Sequence, residues 1–103
     1  MIARYDITDL PAEAGAAAAL FYERDLPAIA AHGEGHLTLV FSPAPYDHRG
    51  WRKAAIADLA RAHAPRRING VAGAGAAVDE ALTYLAGADA ITGQYLPLAE
   101  GEA

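Results

Sequence analysis

Three groups of residues in this chain have types and spacings that could do chemistry. The first is Val71-Ala72-Gly73-Ala74-Gly75, which follows an apolar run and opens an Ala-rich segment. In that context backbone N–H groups and a helix N-terminus can hold an anion. The full Gly-x-Gly-x-x-Gly is not met, because Val78 fills the last position, and no Lys follows as in a P-loop. The preferred reading of Gly73 and Gly75 is a tight turn where glycine permits positive φ and close packing. The second group is basic: Arg49, Arg52, Lys53, Arg61, Arg66 and Arg67 are six of the eight Lys/Arg residues. A solvated helix face with a basic C-terminal end accounts for them; an anion or acidic-partner site is the alternative. The third group is His32, His36, His48 and His63. No pair of them is joined by another ligand at a recognised metal spacing, so no metal site is expected. Ser42 with one of these His residues could suggest a hydrolase pair, but no Gly-x-Ser-x-Gly elbow surrounds it.

The elements that must position these residues follow from periodicity and turn signals. Residues 2–7 read as a short strand near an edge, since Arg4 and Asp6 interrupt its apolar character. Thr8 and Asp9 offer cap oxygens and Pro11 suits a first helical turn. An Ala-rich helix over about 11–24 follows, with Leu20 and Phe21 inward and Arg24 and Asp25 outward. Pro27 breaks or kinks it. Residues 37–42 are almost continuously apolar, as in a strand covered on both faces. Asp47 is a plausible cap for a helix over about 48–64, whose stripe runs Trp51, Ala55, Leu59, Ala62 with Ile56 and Ala60 alongside. A strand at 68–72, a helix at 76–87 with Val78, Ala81, Leu82 and Leu85 inward, and a strand at 91–98 complete the pattern. Pro97 places that last strand at an edge or near its end. A loose acidic tail is expected at 99–103. The order β-α-β-α-β-α-β implies one α/β domain, small and Rossmann-like, in two or three layers on a mainly parallel four-stranded sheet.

Several segments then share a likeness. Leu26-Pro27, Gly33 and Gly35, and the strand ending in Ser42 resemble the middle of short-chain dehydrogenases/reductases. Lys53-Ala-Ala-Ile is similar to the start of that family's active-site helix, where Tyr-x-x-x-Lys precedes small and apolar residues. Ala64-Pro-Arg-Arg67-Ile-Asn-Gly-Val-Ala resembles its next strand, and Tyr84-Leu-Ala-Gly with Ile91-Thr-Gly-Gln its C-terminal signature. The resemblance covers about residues 20–98 and matches the C-terminal half of the family, which implies a truncated relative. It makes Ser42, Tyr46 and Lys53 the vestigial catalytic candidates and NAD(P) the conceivable cofactor.

Departures from the family's pattern weigh against catalysis. Its glycine-rich cofactor turn, which presents N–H groups to the pyrophosphate, has no counterpart here. Asp6-Ile-Thr-Asp9 resembles an adenine-side segment of the family, but the strand that should follow it is missing. Tyr at i and Lys at i+4 share a helix face, so the ammonium can lower the phenol pKa. Four residues before Lys53 stands Arg49, which cannot donate a proton. Tyr46 stands seven residues before Lys53, about 10 Å along an ideal helix, and Pro45 and Asp47 place it outside the helix.

Composition bounds the role. A chain of 103 residues supports one modest core. It has no Cys, so disulfides and thiolate chemistry are excluded. A net charge of −5 argues against general nucleic-acid binding. No apolar run is long enough for a bilayer and no signal peptide is evident, so the expected compartment is the cytoplasm. Helices laid down in order would gather on one face of the sheet, leaving the strand at 37–42 open on the other. An apolar patch of that kind predicts an obligate oligomer. The expected contact is the helix pair at 11–32 and 48–64, using Leu20, Phe21, Trp51, Ala55, Leu59 and Ala62; the resemblance implies the same surface, with either a second copy or a partner reductase upon it. The function expected is therefore a pseudoenzyme acting by association. The alternatives are a nucleotide- or anion-binding subunit, or a reductase completed by a partner.

Overall fold

Residues 3–33 and 35–98 are described by the computed structural model. Ile2 of the expected first strand and the expected tail at 99–103 lie outside them. The strands are β1 (Ala3–Ile7), β2 (Leu37–Phe41), β3 (Ile68–Ala72) and β4 (Tyr95–Pro97). They form one sheet in the order β1-β2-β3-β4, and every neighbouring pair is parallel. The helices are α1 (Ala14–Leu20), α2 (Leu26–Ala30), α3 (Arg49–Ala62) and α4 (Ala76–Gly87). The last matches its expected bounds at both ends.

Successive side chains of a strand point to opposite faces, and the two faces build separate cores. Leu37, Leu39 and Phe41 pack with Phe21, Ile29, Ala55, Ile56 and Leu59 from the helices that precede and follow β2. On the other side, Val40 and Val71 meet Val78, Ala81 and Leu85 of α4. The fold is thus three-layered, with α4 alone on its face among the described helices.

This placement corrects the expectation that helices gather on one face. Each strand is added on the same side of its predecessor, so a helix that changes face changes the hand of its crossover. The last connection therefore has the opposite hand to the first two, against the strong general preference for one hand. The consequence is that β2 is not left open. All five of its residues are buried, with Thr38 at 0% and Val40 at 6% exposure on the α4 side.

Local corrections have local causes. The first helix starts at Ala14 and not near Pro11, because Glu13 is its cap: the carboxylate accepts N–H groups of Gly15 and Ala16. Thr8, Asp9 and Pro11 lie in the preceding connection, where Asp9 holds a φ of +59°. Pro27 does not interrupt the helix. Residues Phe21–Asp25 widen into a π turn, and Pro27 falls in the first turn of α2, where its missing N–H is tolerated. Asp25 points inward, not outward, since it lies one turn beyond Phe21; it is 2% exposed and accepts the Tyr5 phenol at 3.0 Å. Asp47 is not the cap of α3, because a 3₁₀ turn at Tyr46–His48 leads in and His48 takes that position. Of the expected α3 stripe, Trp51 is half-buried and Ala62 exposed, while Arg52 joins Ala55, Ile56, Leu59 and Ala60 inside.

The strand expected at 91–98 is paired only at Tyr95–Pro97. Residues 91–94 are held beside β3 by two backbone bonds, Gly93 N–H to the Ile68 carbonyl and Gly70 N–H to the Gln94 carbonyl, both at 2.8 Å, and by side chains. The Asn69 amide donates to the Ile91 carbonyl and accepts from the Gln94 N–H, both at 3.0 Å, and the Thr92 hydroxyl accepts the Ile68 N–H. β4 lies at the sheet edge and Pro97 ends it, in line with its proline. No helix among the described residues is long and apolar enough to cross a membrane.

Candidate functional site

Parallel strands bring their carboxyl ends to one edge of the sheet, where α/β folds place their ligands. Here that edge gathers Thr8 and Asp9 after β1, Ser42 after β2 and Gly73–Gly75 after β3. Two concavities flank it on opposite faces, each of about 270 Å³, and Ser42 lines both. One lies on the α3 side, against His48 and Arg52; the other lies on the α4 side, against Arg4, Asp6, Gly73 and Gly75.

The three catalytic candidates do not converge by contact. Ser42 is exposed; its backbone carbonyl accepts Arg52 Nη1 at 3.0 Å, and its hydroxyl makes no hydrogen bond among the described residues. Tyr46 is 62% exposed in the 3₁₀ turn, with the Arg49 guanidinium 4.7 Å from its ring centre. Lys53 is exposed on α3 and lines neither concavity. Among the described residues no hydrogen bond joins any two of the three side chains.

The glycine turn has structural work at both positions. The Gly73 N–H donates to the Phe41 carbonyl at 3.1 Å, so it is committed to the sheet. A Cβ at Gly73 would stand 3.1 Å from Leu98. Gly75 has φ +66° and ψ −145°, a region nearly reserved for glycine, and its carbonyl accepts the first N–H groups of α4.

The histidines also have local partners. Trp51 Nε1–H donates to His48 Nδ1 at 3.3 Å. His48 Nε2 therefore carries the proton and donates to the Ala12 carbonyl at 2.8 Å. This imidazole, 2% exposed, clamps the β1–α1 connection to α3. His36 Nδ1 accepts the Arg67 N–H at 2.9 Å, and the His32 ring meets Tyr5 edge-on. No group of three His, Asp or Glu among the described residues could hold a metal ion.

The basic cluster divides. Arg61 is exposed and pairs with Asp58, and Arg67 Nη1 donates to the Ala88 carbonyl at 2.7 Å, capping the end of α4. Arg66 is buried and reaches the Gly35 carbonyl. Arg52 is the residue a surface-helix reading misses. It is 2% exposed, with its guanidinium 4.8 Å from the Phe41 ring centre and 5.7 Å from that of Trp51. Its spacing carried the signal: it stands four residues before Ile56 and seven before Leu59, on the inward stripe. Tyr95 approaches it with its hydroxyl 3.4 Å from Arg52 Nη1. Burial raises the Tyr95 phenol pKa, against the opposing pull of the Arg52 hydrogen bond and of the Arg52 and Arg49 charges.

A third concavity, of about 320 Å³, runs between the outer faces of the helices. Tyr22, Leu26 and Ala30 line it on one side, and Ala55, Leu59 and Ala62 on the other. Of the six residues expected at an interface, Phe21 at 0% belongs wholly to the core, and Ala55 and Leu59 are buried floor of this groove. Leu20 and Trp51 are half-buried, and Ala62 is exposed.

A family model described as SDR-like, short chain dehydrogenase-like protein, matches residues 5–98. No curated protein and no solved structure matches the chain.

Proposed function

Since the chain belongs to the SDR-like family of short chain dehydrogenase-like proteins, we propose that it is a non-catalytic member acting by association. The observation that carries this reading is the identity and position of Arg49. A guanidinium stands one turn before Lys53 and covers the ring of Tyr46. It cannot serve as the proton donor that hydride transfer to a carbonyl needs. Tyr46 lies in a separate turn with its ring exposed, and Lys53 makes no hydrogen bond or ion pair among the described residues. The glycine turn, with the Gly73 amide committed to β2, offers a phosphate fewer donors than its sequence suggests.

Association is assigned to the groove between α1–α2 and α3. Its Ala rims let another helix come close, and the exposed Tyr22 supplies a knob beside the hole. A two-fold arrangement lets each copy place its knob in the other's groove, which makes a second copy of this chain the favoured occupant. A partner reductase of the same family is the other occupant.

The catalytic half of the proposal is tested by incubating the purified protein with NADH and NADPH and a panel of aldehydes and ketones. No cofactor oxidation above background is the expected result. Hydride transfer that scales with protein concentration overturns it.

A further inference from the structure

The cavity on the α3 side of the carboxyl edge contains a charge that no described carboxylate balances. Arg52 is 98% buried, yet among the described residues no carboxylate lies within ion-pair distance of it. Its Nε has no hydrogen-bond partner among the described residues. Two rings and two oxygen acceptors surround the group, and none of them carries a full negative charge. Removing a cation from water without a counter-charge is costly. The planar guanidinium fork is matched best by an oxyanion.

The geometry points to a small carboxylate with a short apolar body, bound in the cavity beside Arg52. The walls come from Ile7, Leu10, Pro43 and Pro45. Those apolar walls favour a hydrocarbon body over a fully hydrated phosphate. A volume of about 270 Å³ sits just below the ordinary range for small-molecule sites, so the ligand has few heavy atoms. His48 also lines the cavity but has both nitrogens engaged, so it shapes the wall and does not contact the charge. Asp9 is exposed at the rim, where its charge acts on Arg24. The site requires no hydride chemistry and stands apart from the helix groove.

A heteronuclear NMR titration of the folded chain with butyrate, with benzoate and with inorganic phosphate, in chloride buffer at neutral pH, tests this. Saturable shifts of the Arg52 Nε–H and of the amides at Ser42, Ala44 and His48 are expected with butyrate. They should vanish in Leu10→Trp, which fills the cavity and leaves Arg52 in place. Arg52→Met should abolish the amide shifts as well; if that variant does not fold, Leu10→Trp alone decides. Shifts with phosphate and none with butyrate overturn the choice of a carboxylate. No shift with any probe, or shifts unchanged in Leu10→Trp, overturn the site.

Discussion

Tyr5 and Tyr95 link the ionisation of single groups to the stability of the whole. Burial raises the Tyr5 phenol pKa, and the hydrogen bond to the Asp25 carboxylate and its charge raise it further. Tyr95 is raised by burial despite the Arg52 hydrogen bond. In both cases the unfolded phenol, near 10.0, ionises before the folded one. The stabilisation is therefore complete below about pH 10 and is lost as pH climbs through the folded pKa. Urea unfolding from neutral pH to about pH 11 should show a falling alkaline limb, shallower in Tyr5→Phe and in Tyr95→Phe. At neutral pH Tyr5→Phe should cost about 1 kcal/mol, because the buried Asp25 keeps only its Arg24 partner. An unchanged alkaline slope in both variants contradicts this account. Asp25, expected outward, turns inward because it lies four residues beyond Phe21, and Arg52, expected on a solvated face, because it lies four before Ile56. The partners were not legible, because Tyr5 lies twenty residues from Asp25 and Tyr95 forty-three from Arg52.

At the scale of elements, a core poor in large side chains depends on how closely helices approach the sheet. Gly70 in β3 is the contact that allows α3 to do so. A Cβ there would stand 2.8 Å from Ile56 and 3.3 Å from the Tyr95 ring. Gly70→Ala should therefore destabilise by about 1–3 kcal/mol through overpacking. Gly50→Ala, in α3 with nothing within 4 Å of the added Cβ, should stabilise by about 0.4–1 kcal/mol. Thermal or urea unfolding of the two variants checks both signs, and equal effects would sink the close-approach argument. Gly75→Ala should cost about 1–3 kcal/mol on backbone grounds alone, since its φ is +66° with open space around it. Boundaries were readable where one signal acted. The helix at 76–87 has regular apolar spacing and a glycine at each end. They were not readable where two signals competed. Glu13 outbid the cap oxygens before it, Pro27 was absorbed by a π turn, and Asn69 side-chain bonds interrupt the regular ladder along residues 91–94.

For the whole molecule, the parallel order and the alternation of strands and helices were legible, whereas the face chosen by α4 was not. The general handedness rule favours one face for all crossovers, and no local pattern in residues 76–87 announces the exception. That single choice closes the sheet over β2 and moves the case for association from an open sheet face to the groove between α1–α2 and α3. Ala62 is exposed on that groove and makes no core contact, so a charge placed there should affect pairing and leave folding alone. Sedimentation velocity of the wild-type chain and of Ala62→Glu at micromolar concentration tests association most directly. The account predicts a dimer for the former and a folded monomer for the latter. A wild-type chain that stays monomeric across that range, or a dimer indifferent to Ala62→Glu, would contradict it.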